Sequence, residues 1–303
     1  MLSVNIPVYN IEVGGLVQEL VSQSARLKYP VEIRVYDDGS NENVKLKNRE
    51  ISNLPGAVYT ELEKNMGRSA IRNKMGLESG FEYLLFIDAD SALVKPDYLS
   101  SFLENADQKT VLCGGTTYKK EPPKEKSQYL RWFYGTHREA ISALERNNKK
   151  GFIITSNNFL IPKKVFEKIR FREDLKMYGH EDTLLGYDLH RQGIQIRHIE
   201  NPVEHTGLED GTVFLDKTCV ALKSLHLITN QLLPGDTEFA RQVNFLNRYQ
   251  SIRKIIPAFL LRWFFSMFHI LLEKHLTGRN PKLFWFDVYK LGYYSTLGQK
   301  KAG

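Results

Sequence analysis

The sequence predicts an α/β fold: an open, mostly parallel sheet flanked by helices, followed by a helical extension at the C-terminus. Three observations carry this reading. Strand and helix patterns alternate over the first two hundred residues, the order expected of a sheet covered on both faces. Tyr83-Leu84-Leu85-Phe86-Ile87 is an unbroken apolar run, which suits a central strand buried on both faces. Acidic residues stand directly after the strand candidates, where open α/β sheets bind their ligands.

The elements follow in order. Leu2–Val8 alternates as a strand from the outset and lacks the basic-then-apolar pattern of a secretory leader. Val13, Leu16, Val17, Leu20 and Val21 then recur at helical spacing. Val31–Tyr36 is the second strand and Ala57–Thr60 the third. Gly67–Gly80 reads as a helix with Ala70, Ile71, Met75 and Leu77 on its apolar side. Val111–Cys113 and Phe159–Ile161 are shorter strands, and Gln195–Ile199 is strand-like. Later, Val213–Asn230 has an amphipathic helical pattern, Leu233–Asp236 breaks it, and helices resume near Thr237 and after Pro257. The expected division is a body over residues 1–210 and an extension over 211–303.

Composition narrows the function classes. The chain has 303 residues, 42% hydrophobic and 25% charged, values of a folded globular protein. Its two cysteines, Cys113 and Cys219, are far apart. That excludes a disulfide scaffold or a Cys-rich zinc module and fits a reducing compartment. The net charge of +7 is unevenly spread. Residues 237–303 hold eleven Lys/Arg against three acids, a net of +8, and 14 of the 35 aromatics. The preceding 236 residues hold 31 bases and 32 acids, a net of −1.

The chemistry-bearing residues lie in the near-neutral body. The second strand runs into Asp37-Asp38-Gly39-Ser40, an acidic pair able to bond a base and a ribose, or a simple Asp-Gly turn. The first strand ends Pro7-Val8-Tyr9-Asn10, and Tyr9 could stack on a base or on the core. No Gly-x-Gly-x-x-Gly follows it, and no Gly-x-x-x-x-Gly-Lys-Ser/Thr occurs, which weighs against a dinucleotide oxidoreductase and a P-loop NTPase. Gly67 opens a helix in which Arg68 and Arg72 share a face, with Asn73 beside them. Such a start can hold a diphosphate or a base edge. Asp88-Ala89-Asp90 emerges from the apolar run, and in an extended chain both carboxylates point to one side. A divalent cation such as Mg²⁺ or Mn²⁺ is their natural partner. Glu181-Asp182 starts a helical pattern, and His205 follows a strand-like segment.

Taken in order, Asp-Asp-Gly-Ser, Asn-x-Gly-x-x-x-x-Arg-Asn, Asp-x-Asp after a hydrophobic strand, Glu-Asp and His resemble the family 2 glycosyltransferases of the GT-A fold. The likeness spans about residues 3–208. It implies a metal-dependent, inverting transfer of a hexose or N-acetylhexosamine from a UDP-sugar to a saccharide acceptor, in cell-surface polysaccharide or glycolipid synthesis. By this resemblance Asp37 or Asp38 reads uracil and ribose, Tyr9 and Pro7 line the pocket, and Gly67, Arg68, Arg72 and Asn73 close on the nucleotide. Asp90, supported by Asp88, would hold Mn²⁺ or Mg²⁺ on the diphosphate, and His205 would complete the metal's shell. Asp182 would be the base and Glu181 the acceptor-hydroxyl binder, in either order. Tyr178-Gly179-His180 departs from the Gly-Gly or Trp-Gly that precedes Glu-Asp in many relatives.

Two other readings compete. A nucleotidyltransferase of the same fold would carry a glycine-rich basic loop after the first strand, but Asn10–Gly15 holds no base. A non-catalytic nucleic-acid or membrane binder leaves the strand-end acids unexplained, and nucleic acid is not expected as a partner. The tail suggests a membrane surface instead. Arg253-Lys254 and Lys274-His275 flank the apolar Ala258–Leu272, which contains Trp263, Phe264, Phe265, Phe268 and also Arg262. Fifteen residues fall short of the roughly 20 that a bilayer needs, so an interfacial helix is expected. It would dock the protein on the inner face of the cytoplasmic membrane, beside a lipid-linked acceptor. Packing on the body, or on a second copy in a homo-oligomer, is the alternative.

Overall fold

The computed structural model describes residues 1–149, 152 and 154–298. Lys300 and Lys301 of the basic tail lie outside the described residues. The chain forms two compact units, and their boundary is not contiguous in sequence. The first gathers Met1–Tyr118, Glu139–Lys176 and Glu181–Gly207. The second gathers Lys119–Arg138, Met177–His180 and the chain from Leu208 onward.

The strands of the first unit are β1 (Leu2–Val8), β2 (Val31–Asp37), β3 (Ala57–Glu61), β4 (Tyr83–Ile87), β5 (Ser91–Leu93), β6 (Thr110–Cys113), β7 (Thr116–Thr117), β8 (Asn158–Pro162), β9 (Gln195–His198) and β10 (Val203–His205). Seven form one sheet in the order β3-β2-β1-β4-β8-β6-β9. All its pairings are parallel except those of β8, which runs antiparallel to both neighbours. The parallel β1-β2 pair is joined by the helix Gly14–Ser24, and the helix Arg68–Glu78 connects β3 to β4. A second sheet, β5-β10-β7, has three short strands.

The apolar run of β4 works as its pattern requires. Leu85 and Ile87 enter one core with Val4, Ile6, Val17, Leu20 and Ile33. Leu84 and Phe86 enter the core on the other face with Ile71, Met75, Phe159 and Phe166. Phe86 pairs in register with Phe159 across the antiparallel β4-β8 ladder, and their rings stack at 5.0 Å. Burying each such side chain stabilises the fold by about 1.5–3 kcal/mol. The alternation does not carry beyond Ile87, because Ser91 N donates to Asp88 O and closes a turn. Asp88 and Asp90 are therefore not presented from an extended strand, contrary to the sequence expectation.

The second unit is helical. Its helices Gly211–Leu227, Ala258–Leu276 and Leu283–Leu297 pack around Leu215, Leu272, Leu276, Phe286 and Tyr289, with Leu130 from the inserted segment. The amphipathic stretch expected to run to Asn230 leaves α-helical form after Leu227 and continues as a π-turn over Ile228–Leu232. Gly292 has no side chain where the Phe265 ring approaches, and a Cβ there would lie 2.7 Å from that ring.

A similar close approach fixes the helix that carries Arg68 and Arg72. A Cβ on Gly76 would stand 2.3 Å from the Phe166 ring. Gly76→Ala gains helix propensity of about 1 kcal/mol, but overpacking of this kind costs about 1–3 kcal/mol. The expected net outcome is a lower thermal unfolding midpoint; a raised midpoint would contradict this packing.

Candidate active site

The site grows from loops at the carboxyl ends of β1, β2 and β4, and all its residues belong to the first unit. The two acids at the end of β2, Asp37 and Asp38, are buried and bound within the protein. Asp37 accepts from Ser40 N at 2.6 Å and from Tyr59 Oη at 2.9 Å. Asp38 accepts from Met66 N at 2.7 Å and from Gly67 N at 3.1 Å. Burial pushes the Asp38 carboxyl up, against those two amides. Asp37 thus braces the turn after β2 against β3, and Asp38 ties it to the loop that opens the helix Arg68–Glu78. Tyr9, by contrast, is 56% exposed beside it, next to Asn10 in a left-handed conformation. Pro7 is half-buried within β1, opposite Tyr36.

Gly67 caps the helix Arg68–Glu78 with φ of 89°, a conformation that glycine adopts without a steric cost. One turn on, Arg72 is buried. It donates from Nη2 to Asp88 Oδ1 at 2.5 Å, and its guanidinium lies 5.7 Å from the Phe171 ring centre. Arg68 stays half exposed, 3.7 Å from Glu181 Oε1. Asn73 turns inward: its amide donates to Phe171 O and Glu173 Oε1 and accepts from Phe171 N. Those bonds make Asn73 a pin for the 171–173 loop.

The two carboxylates after β4 go separate ways. Asp88 is engaged by Arg72, at 2.5 Å. Asp90 faces His205, with Oδ2 3.6 Å from Nδ1. The pairing of β5 with β10 produces this. Its register sets His205 opposite Ser91, the residue after Asp90. Thr206 then donates from N and Oγ1 to Asp90 O, both at 2.8 Å. Gly207 permits the close approach, because a Cβ there would lie 2.8 Å from Asp90 Oδ2. Burial pushes the Asp90 carboxyl up, but His205 and the charge of Arg68 outweigh it and leave it lowered, hence ionised.

Among the described residues no group of three or more His, Cys, Asp and Glu side chains is gathered for a metal. The pair Asp90–His205 nevertheless suits a divalent cation that takes its other ligands from phosphate and water. His205 Nε2 is buried without a hydrogen-bond partner, an arrangement that costs free energy until something binds there.

Glu181 and Asp182 begin the helix Glu181–Arg191, directly after Gly179 and His180, both at positive φ. Glu181 is buried. Asp182 keeps part of its surface open and accepts from Thr183 N at 2.7 Å. Surrounding protein desolvates it and Glu181 repels its charge, so its carboxyl is pushed up to about 7. The charge of Arg72 acts in the opposite direction. The two arginines of one helix turn therefore serve both acidic motifs: Arg68 faces Glu181 and favours ionised Asp90, while Arg72 holds Asp88 and favours ionised Asp182.

Sequence reasoning missed a buried network behind the His205 strand. Asn158 donates to Gly115 O and Asn201 O and accepts from Tyr98 Oη at 2.7 Å. Asn201 donates in turn to Tyr98 O. Arg146 donates to the carbonyls of Cys113, Gly114 and Ile199. The available signal was Asn157-Asn158 at the start of β8, a polar pair where a buried strand begins.

The open, mostly parallel sheet thus carries acids, arginines and a histidine around its strand ends. The chain belongs to glycosyl transferase family 2, whose model matches residues 3–170. It is 25% identical to chondroitin synthase from Escherichia coli over 240 residues, 67% of this chain. It spans about a third of that relative, 34% of its length. The fold resembles residues 1–349 of S. aureus TarS in complex with UDP-GlcNAc, at TM-score 0.51 and 17% identity, covering 98% of this chain and 90% of that one. It also resembles the Pyrobaculum calidifontis mannosyltransferase PcManGT in complex with GDP-Man and Mn²⁺, at TM-score 0.57 and 15% identity, covering 98% and 85%. Family membership sets aside the nucleotidyltransferase and the non-catalytic binder.

The bonding of Asp38 yields a prediction. Asp38→Ala strands two backbone N–H groups and is expected to cost about 2–4 kcal/mol of stability. Chemical denaturation measures this; unchanged stability with a loss only of uridine nucleotide binding would instead make Asp38 a base reader.

Proposed function

We propose that this glycosyltransferase moves a hexose or N-acetylhexosamine from a UDP-sugar to a saccharide hydroxyl in one inverting displacement assisted by a divalent cation. The observation that carries the reading is the coupling of two acidic motifs through Arg68 and Arg72. It brings an ionised Asp90 with His205, and a base with a raised pKa, into one electrostatic unit. The structural relatives support the donor class, since one was solved with UDP-GlcNAc and another with GDP-Man and Mn²⁺. Tyr9, exposed at the end of β1, offers a ring for a nucleobase to stack on.

Asp90 and His205 would hold the cation, which supplies positive charge to the donor's diphosphate. Arg68, half exposed, adds charge against the leaving group. Asp182 accepts the acceptor's hydroxyl proton as that oxygen bonds to the anomeric carbon. The bond from that carbon to the nucleoside diphosphate breaks, and its electron pair leaves with the diphosphate oxygen. A base that titrates near neutrality suits this work. Glu181, buried beside Asp182, raises the pKa of that base and orients the acceptor. Saccharide synthesis at the cell surface is the process this reading fits.

The sign of the pH dependence follows. Asp182 accepts a proton only when ionised, so kcat/KM rises with pH through about 7 and levels above it. Asp182→Asn removes that limb and lowers kcat roughly 10²–10⁴-fold, with UDP affinity retained. Coupled UDP-release assays across pH test this. A rate unchanged in Asp182→Asn would assign the base elsewhere, with Glu181 next in line.

A further inference from the structure

We propose that the helix Ala258–Leu276 is a membrane-docking face that lies flat in an anionic lipid interface. Phe259, Trp263, Met267, Ile270 and Leu271 are between 60% and 68% exposed, and Leu260 is exposed beside them. At 3.6 residues per turn these six fall within an arc of about 120°. Phe265, Leu272 and Leu276 lie on the opposite side. There Leu272 and Leu276 are buried, and Phe265 packs on Tyr289, Tyr293 and Gly292 of the neighbouring helix. One helix thus carries two apolar stripes, and the second unit uses only one of them.

The charge at the two ends of this helix selects the occupant of its open stripe. Lys254, Lys274, Arg279 and Lys282 are exposed, and Arg262 lies within the helix. Glu273 is the helix's one acid, and it accepts from Tyr289 Oη on the packed side. Asp287, in the neighbouring helix, is already occupied by Arg138, Arg248 and Lys290. A second copy would bring the same uncompensated bases to the interface, whereas anionic headgroups neutralise them, each base near the surface adding about 1 kcal/mol. Trp and Phe on the open stripe suit the headgroup boundary.

Lying flat is favoured over crossing. No single helix among the described residues is long and apolar enough to span a bilayer. The preceding helix Asn244–Arg253 meets this one at 108°, and a span would strip Leu272 and Leu276 from their packing.

The test is co-sedimentation of the full chain with vesicles of phosphatidylcholine, alone or mixed with phosphatidylglycerol, at rising salt. Binding needs no turnover, so its outcome is separate from that of the donor chemistry. The expected result is binding greater by the order of tenfold or more on the anionic vesicles, reversed by salt. It should be lost in Trp263→Ser/Met267→Ser/Ile270→Ser, whose changes touch only exposed side chains, with circular dichroism unchanged. Quenching of wild-type tryptophan by lipids brominated at known depths gives a second reading without any variant, and shallow quenching is expected. Equal or absent binding to the two vesicle types overturns the proposal. So does quenching at the bilayer centre, or a dimer in light scattering that the triple variant abolishes.

Discussion

Four carboxylates in two motifs crowd the strand ends of this sheet, and two guanidinium groups from one helix turn offset their repulsion. Asp88 is neutralised outright by buried Arg72, while Glu181 faces Arg68. Both Asp90 and Asp182 sit in desolvated places, and Asp182 also lies near the like charge of Glu181, which raises carboxyl pKa values and favours neutral acids where no cation offsets it. His205 at Asp90, and burial with Glu181 at Asp182, divide the acids into two kinds. Asp90 is held ionised, and Asp182 is left near neutrality. In the proposed mechanism the first suits a cation and the second a proton.

The helix can do this because its position is set from both ends. Asp38 binds the amides of Met66 and Gly67 at its start, and Gly76 lets Phe166 pack at its far end. Asn73 fastens the 171–173 loop against it. Several residues that the motif reading assigns to the ligand also build the scaffold that aims the arginines. Placement of His205 is likewise a matter of register, since a one-residue slip between β5 and β10 would turn its ring to the other face.

Much of this was legible in the sequence. The five apolar residues of β4 announced a strand buried on both faces, and the acids after strands located the site. The turn after Ile87 was not legible, because a single backbone hydrogen bond from Ser91 to Asp88 decides it. The three-residue strands β5 and β10 are too short for a periodicity to register. The burial of Arg72 was hidden as well, since an arginine at helical spacing usually reads as solvated surface, and only the fold brings Asp88 and Phe171 to it. The basic tail separates into a packed apolar stripe and an open one only once its neighbouring helix is in place.

The proposed mechanism has one proton acceptor and one displacement, and so a fixed stereochemical outcome. Proton NMR during slow hydrolysis of UDP-GlcNAc, whose sugar is α-linked, reads that outcome before the released sugar mutarotates. The account predicts the β-anomer as the first product. Release of the α-anomer first would show a second displacement and contradict the assignment of a lone base at Asp182.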